Sequence, residues 1–501
     1  FATRFRPRLP GRHRLRLIAA WVGGSPLTVQ LGDLVVVGEP WEGIPRPDAQ
    51  DPRFFSAGGR FIWPLGHNLN STYDVRSRSS LGTTLTPDRG SFTRDALLER
   101  LIAAGGTGCE TWLSAWNLGL EWSQDWPGYR GAGRYHPGHA WALDRFLDRA
   151  EAAGMHVNLS IFNHGMAREN AGAEAEWPFH PWRRANGGWM ERPSELFRDE
   201  RAFVAQRKLF RYLGARYGDS PALLGWKLWA EVNLAEADND EVVAWHARAG
   251  RAMAEADGSG RGVTTHWCGD WNSADRRIAA QPEMGYLTID AYHGEGTLIA
   301  DLLAASTRDP LQAGQGLAGF AKPILVTEFG GSPGACAPAR LAAEHAIGPW
   351  VGLVSGHGGA PMLWWFEWID QQDRFALYGA VRRFLDGEDL RSREAACIAP
   401  TAVASGQTLW CRAWSRPGRM LGYVLDRAWG FAGGDGQRLA VGELVVGESV
   451  APGELSLEWW DCDRGEIVER RQVSHAGGRL ALPMPAFQRH LAFKLVRATA
   501  P

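Results

Sequence analysis

The stretch Leu224-Gly225-Trp226-Lys227-Leu228-Trp229-Ala230-Glu231 constrains the fold more than any other in the chain. It is an almost continuous apolar and aromatic run that ends in a carboxylate. An amphipathic helix precedes it. Asp199 reads as the N-cap with Glu200 in the first turn; Phe203, Phe210, Leu213 and Tyr217 recur at helical spacing, and Gly218 and Pro221 stop it. A helix feeding a strand with no polar face predicts a parallel sheet covered on both sides. A carboxylate at the C-terminal end of such a strand lies where α/β barrels keep their chemistry. Taken alone, Glu231 is read equally well as a solvated residue past a strand end. However, Lys322-Pro323-Ile324-Leu325-Val326-Thr327-Glu328-Phe329-Gly330-Gly331 repeats the pattern of apolar strand, terminal Glu and glycine-rich exit. Two strand-end glutamates point to a paired-carboxylate site for glycoside chemistry.

Eight strand-like runs alternate with helix-like ones across residues 48–392. They are Phe61–Leu65, Gly108–Leu113, His156–Phe162, Leu224–Trp229, Gly262–His266, Tyr286–Asp290, Ile324–Thr327 and Pro361–Phe366. Helices are expected at Thr93–Ala104, His139–Ala153, Glu241–Ala256 and Arg340–Ser355. The alternation predicts an α/β fold, a (β/α)8 TIM barrel with enlarged loops. An open doubly wound sheet would want a glycine-rich phosphate turn after its first strand, and Gly66-His67-Asn68-Leu69-Asn70 is not one. Residues 1–47 read as a partial N-terminal β-sandwich and linker, with strands expected at Phe1–Arg6, Arg14–Val22, Leu27–Leu31 and Leu34–Val37. Residues 393–501 read as a C-terminal β-sandwich, with strands at Thr408–Ala413, Met420–Asp426, Glu454–Asp461 and His490–Val496.

Polar and aromatic residues gather just after the barrel strands. They are His67, Asn68 and Asn70; Trp116 and Asn117; Asn163 and His164; His266, Trp267 and Asp270; Tyr292 and His293; and Trp364, Trp365, Glu367 and Trp368. Each one singly is better explained as a partner for backbone groups. Their coincidence at one end of all these strands marks a site. The long segment from Asn163 to Arg198 carries Trp177, Trp182 and Trp189 and reads as a lid or binding loop. The chain holds 25 Trp, against 20 Phe and 9 Tyr, and indole faces stack on sugar rings as well as filling cores. With 54 basic and 56 acidic side chains the charge is balanced, which leaves no electrostatic argument for nucleic acid or an anionic membrane. No apolar run reaches membrane-spanning length. The six cysteines lack metal-ligand spacing; Cys411 and Cys462 share the C-terminal segment and are the candidates for a bridge. No metal or cofactor is expected. A secreted or periplasmic location is expected, the first residue being Phe rather than Met.

These residues resemble glycoside hydrolase clan A, specifically the cellulase-like, family-five-related barrels, over nearly the whole chain. Arg211-Tyr212-Leu213-Gly214-Ala215-Arg216-Tyr217-Gly218 followed by Leu228-Trp229-Ala230-Glu231-Val232 is similar to that group's fourth-strand region, and Thr327-Glu328-Phe329-Gly330 to its nucleophile motif. His345, Trp350, Ser355-Gly356, Trp364-Trp365, Val381–Leu390 and Trp459-Trp460-Asp461 with Gly465 resemble its later segments. The resemblance implies a retaining β-glycosidase acting on an oligo- or polysaccharide, with Glu231 as acid/base and Glu328 as nucleophile. Its substrate-binding residues would be His67, Asn68, Glu110, Trp116, Asn163, His164, Trp229, His266, Tyr292, His293, Trp364, Trp365 and Glu367. Carboxyls about 5–5.5 Å apart leave no room for a water and dictate retention.

Two departures stand out. The group places Asn before the acid/base, where this chain has Ala230, and an Arg on the second strand, where this chain has Glu110. An anion in place of that cation raises the nucleophile's pKa unless Lys227, His293 or His266 compensates. Asn233 is a candidate for the lost amide. The expected consequence is a reacting subsite built for a sugar unlike glucose, including one with an amino group facing Glu110. The alternatives are a carbohydrate-binding protein on a decayed barrel, and a glycosidase in which Glu367 or Glu110 takes a catalytic role.

Overall fold

A computed structural model describes residues 4–20, 23–84, 89–170, 174–309, 311, 316–447 and 450–497. Its centre is a TIM barrel. Seven parallel strands, Gly66–Asn68, Gly108–Trp112, His156–Asn163, Leu223–Ala230, Gly262–Thr264 continued by His266–Trp267, Leu287–Ala291 and Ile324–Phe329, run in order round it. An eighth segment closes the ring. Leu363 bridges to Phe329 in parallel, and its carbonyl accepts the Asn68 amide at 3.0 Å. Every residue of the third, fourth and seventh strands is buried, as sheets covered on both faces require.

The helices lie where periodicity puts them: Ser91–Ala103, Pro137–Ala152, Glu200–Tyr217, Asn239–Asp257 and Pro338–Ser355. The Asp199 carboxylate caps its helix by accepting the Ala202 amide at 2.7 Å. The first barrel strand is displaced from the expected Phe61–Leu65. Arg60–Ile62 instead joins a small antiparallel sheet with Phe55–Ala57 and Arg46–Pro47. Pro64 carries no N–H for a ladder, and the strand begins only at Gly66, where a Cβ would stand 1.9 Å from the Gly108 carbonyl oxygen. The eighth strand, expected over Pro361–Phe366, shrinks to a bridge for a similar reason, since Pro361 opens it.

At the N-terminus, Gly11–Ala19 pairs antiparallel with Leu27–Val36 in a two-stranded hairpin exposed on both faces. The second strand runs through Gly32 as one element rather than the expected pair. The first three residues of the expected Phe1–Arg6 strand, and Trp21 and Val22, lie outside the described residues. Beyond the barrel, nine antiparallel strands form one continuous sheet where four were expected. Ala402, Leu444, Leu482, Trp459 and Phe493, from strands far apart in that sheet, meet in a single apolar cluster. The sheet docks on Pro338–Ser355, with Trp350 stacked on Tyr423 at 6.0 Å. Cys411 and Cys462 are free thiols, not a bridge. Cys411 belongs to the sheet's own cluster and Cys462 to the barrel cluster, so the two point into different cores. Among the described residues no helix is long and apolar enough to cross a membrane.

Candidate functional site

The fourth strand ends by stepping into the left-handed region at Glu231 (φ 55°), a strained conformation for a residue with a Cβ. That step aims the Glu231 amide at His266 Nδ1, 3.1 Å away. Because Nδ1 accepts there, the ring's proton is on Nε2, which faces Asp290 at 2.6 Å. Burial and the Lys227 charge draw the His266 pKa well down; burial and the neighbouring glutamates push Asp290 well up. Both shifts favour neutral forms. Tyr292 donates to Glu328 Oε2 at 3.2 Å. His266, Asp290 and Glu328 have the donor set of a metal site, with ligand atoms within 4.8 Å of one another. His266 Nε2 and Asp290 Oδ1 approach to 2.6 Å without forming a hydrogen bond.

Glu231 and Glu328 open into a cavity of about 250 Å³ shared with Asn70, Tyr73, Arg76, Trp112, Trp116, Trp126, His164, Glu174 and Trp364. Trp112 and Trp364 meet edge to face at 5.5 Å. His164 Nδ1 stands 2.8 Å from Glu231 Oε2, and its Nε2 stands 2.9 Å from Glu174 Oε2. Glu174 also pairs with Arg76. Burial works against ionisation of both catalytic candidates, but the two differ in company. The His164 contact draws Glu231 well below the usual carboxylate range. Burial and the charge of Glu231 drive Glu328 well above it, with Lys227 opposing.

Glu110 lies beneath this cavity, not in it. Its Oε1 accepts from Lys227 Nζ at 2.6 Å, Trp112 Nε1 at 2.7 Å and Asn68 Nδ2 at 3.4 Å; its Oε2 accepts from Asn158 Nδ2 at 2.7 Å. Lys227 also donates to Thr327 Oγ1, next to the nucleophile candidate, at 3.3 Å. Both members of the Lys227–Glu110 pair have zero exposure. Glu110 has zero exposure and does not line the cavity, so it does not face an amino sugar there. Lys227, on the fourth strand, places a cation beneath the cavity.

Of the other expected residues, Trp116, His164 and Trp364 line the cavity. Asn68 points to the barrel interior, bridging Glu110 and the Thr327 carbonyl. His67 faces outward and bonds Tyr378 at 2.9 Å. Trp229 packs on Phe162 and Phe197 outside the barrel. Trp365 donates to the Gly330 carbonyl at 2.8 Å. His293 faces Glu344, and Glu367 is buried at the start of the helix Phe366–Gln371. Asn233 exchanges two hydrogen bonds with the Cys268 backbone, so its amide is not free to replace the one lost at Ala230. The long third loop is a packed wall: Trp177 and Trp182 are buried, and it contributes Glu174 rather than a tryptophan. Trp112 was missed by sequence reasoning although the strand alternation that points Glu110 inward points Trp112 the same way. Arg76 comes from the first turn of the short helix Val75–Leu81, Trp126 and Glu174 from the long connections, and none carries a sequence signal.

Asn163 serves this wall instead of the cavity, its Oδ1 accepting the Gly165 amide at 2.9 Å. Beside it, burial pushes the Glu176 carboxyl up to about 8, with Asn163 and the Ala115 backbone offsetting part of the effect. The folded chain therefore binds this proton more tightly than the unfolded one. That stability is present below about pH 4.5 and lost as pH rises towards 8, up to roughly 5 kcal/mol in all. Glu176→Gln is expected to flatten urea-denaturation stability across that window and to raise it at pH 8; an unchanged slope would count against a buried neutral Glu176.

No protein-family model and no curated protein sequence matches the chain. Solved structures do. A candidate glycoside hydrolase from Bacteroides vulgatus superposes with a TM-score of 0.60 at 12% identity, covering 99% of this chain and 90% of that one. A further structure, a glycoside hydrolase, gives 0.58 at 10% identity over 92% and 98%. A family 5 glycoside hydrolase from Bacteroides vulgatus gives 0.52 at 11% identity over 91% and 94%. The chain has the fold of family-5-related glycoside hydrolases.

Proposed function

We propose that the protein is a retaining β-glycosidase in which Glu328 attacks the anomeric carbon and Glu231 protonates the departing oxygen. Glu231 then activates the water that releases the sugar. The observation that carries this reading is the convergence of Glu231 and Glu328, from the fourth and seventh strands, on one aromatic cavity with Tyr292 bonded to Glu328. Trp112, Trp116 and Trp364 offer apolar faces for a sugar ring. Ala230 has no amide and Asn233 is engaged with the Cys268 backbone, so neither supplies the side-chain amide that the resemblance places before the acid/base. That favours a reacting sugar whose 2-position differs from glucose.

The test is turnover on aryl β-glycosides (gluco, galacto, manno, xylo, arabino, fuco, glucosaminide), beside Glu328→Gln. Hydrolysis of one member, with the β-anomer released first by proton NMR and no turnover in the variant, is the expected result. The surroundings of the pair favour a second reading, a carbohydrate-binding barrel without turnover: the His164 contact draws Glu231 down and burial draws Glu328 up, opposite to their roles. Sugar affinity without hydrolysis of any aryl glycoside or polysaccharide would establish that reading instead.

A further inference from the structure

We propose that the cavity is a blind pocket for one terminal sugar, closed by the Arg76–Glu174 bridge, so that the protein removes single sugars from non-reducing chain ends. This rests on the glycosidase reading. The walls come from one side of the barrel. Trp364 lies on the eighth segment, Arg76 follows the first strand, Trp116 and Trp126 follow the second and Glu174 the third. Among the described residues, none lining the cavity comes from the segments after the fifth and sixth strands. The connections on the walled side are fastened to one another. Gln371, on the helix after the eighth segment, accepts the Thr84 amide at 3.0 Å and donates to the Thr84 carbonyl. Arg76, from the same connection as Thr84, pairs with Glu174 of the third. Trp126 of the second packs on Phe179 of the third at 5.7 Å. Arg76 and Glu174 line the cavity yet keep 31% and 29% of their side chains exposed, which sets their bridge at the rim.

The position of the two glutamates gives this enclosure its consequence. The reacting sugar lies between Glu231 and Glu328, and its leaving group lies beside Glu231, which protonates it. Walls from the eighth segment round to the third connection therefore surround the sugar that is attacked. The side without walls, past the fourth strand, is left for the leaving group. At about 250 Å³ the cavity is smaller than the roughly 300–1,000 Å³ of pockets that enclose drug-sized ligands, which is room for one ring and not for a chain. Cleavage inside a chain needs a further sugar on the non-reducing side of the attacked one. That sugar would meet the Arg76–Glu174 bridge, because a link from the first connection to the third shuts the direction in which the chain continues.

The experiment uses three nitrophenyl β-glycosides of the sugar the panel identifies: the monoside, the bioside, and the bioside with a benzyl ether on its terminal 4-hydroxyl. Wild type is expected to hydrolyse the monoside, to release a monosaccharide first from the bioside, and to leave the blocked bioside intact. Release of a disaccharide from either bioside would overturn the proposal while leaving the glycosidase reading intact. So would cleavage of a polysaccharide by a protein that turns over no aryl monoside. A wild type inert on all of these would remove the glycosidase reading itself. Arg76→Ala is expected to open the wall and raise disaccharide release from the blocked bioside at least about tenfold above the wild-type limit. Glu174→Gln breaks the same bridge from its other partner and is expected to give the same gain, whereas Arg76→Lys keeps the cation and the blocked bioside intact. No gain in either bridge-breaking variant, with Tm at the wild-type value, would overturn the role given to the bridge.

Discussion

Glu328→Gln is expected to lower kcat/KM by at least about 10³-fold on any glycoside the protein hydrolyses, because the amide oxygen is too weak a nucleophile to form the glycosyl intermediate. The substitution changes little else. Gln keeps an oxygen for the Tyr292 hydroxyl, and the cavity keeps its shape. It also removes a carboxyl that the fold holds in an unfavourable place. Burial and the Glu231 charge raise Glu328, so the folded state takes up its proton more readily than the unfolded state. Stability tied to that proton is complete below the ordinary carboxylate range and falls as pH rises through the elevated native value. A neutral isostere is free of this loss, so the variant is expected to match wild type in acid and melt higher in alkali. Loss of turnover together with unchanged or raised Tm separates a missing nucleophile from a damaged fold. A variant retaining a tenth of wild-type activity would rule out Glu328 as nucleophile and bring Glu367 or Glu231 forward in that role.

Lys227→Met carries the largest expected cost in stability, about 3–5 kcal/mol, because it leaves the Glu110 carboxylate uncompensated at zero exposure. Trp112, Asn68 and Asn158 still donate to Glu110, but each is a neutral donor. Adding Glu110→Gln to Lys227→Met is expected to recover most of the loss, since the buried charge then disappears from both sides. A double-mutant cycle in urea at pH 7 reads the coupling directly. The same pair bears on the chemistry. Lys227 opposes the elevation of Glu328, so without it the carboxyl ionises later and the acid limb of the rate profile moves to higher pH. A Lys227→Met protein within 1 kcal/mol of wild type, with its acid limb unmoved, would show that the pair is ordinary interior packing.

The barrel was legible in the chain because its strands are apolar on both faces and end abruptly in Glu231 and Glu328, while Asp199, Gly218 and Pro221 delimit the helix before the fourth strand. Those features are local, and local patterns survive in a sequence. The same two-sided apolarity hid which way each side chain points. His67, Trp229 and Trp365 read as cavity residues but face helices or loops, whereas Glu110 and Lys227 face inward to each other. No polar face marks the inside of a strand that is buried on both sides, so register cannot be read from composition. From the sequence, Glu110 in place of the resembled group's arginine reads as a feature of the reacting subsite, including one facing an amino group of the sugar. Only the closed barrel brings Lys227 within 2.6 Å of Glu110, from 117 positions away. Likewise Arg76, Trp126 and Glu174 belong to three separate connections, Arg76 on the short helix Val75–Leu81, with no common pattern. The sequence by itself determined the barrel and the two catalytic candidates, since apolar periodicity and strand-end carboxylates are properties of contiguous residues. The tertiary structure decided the charge network around them, because long-range electrostatic partners are chosen by where strands and loops meet in space.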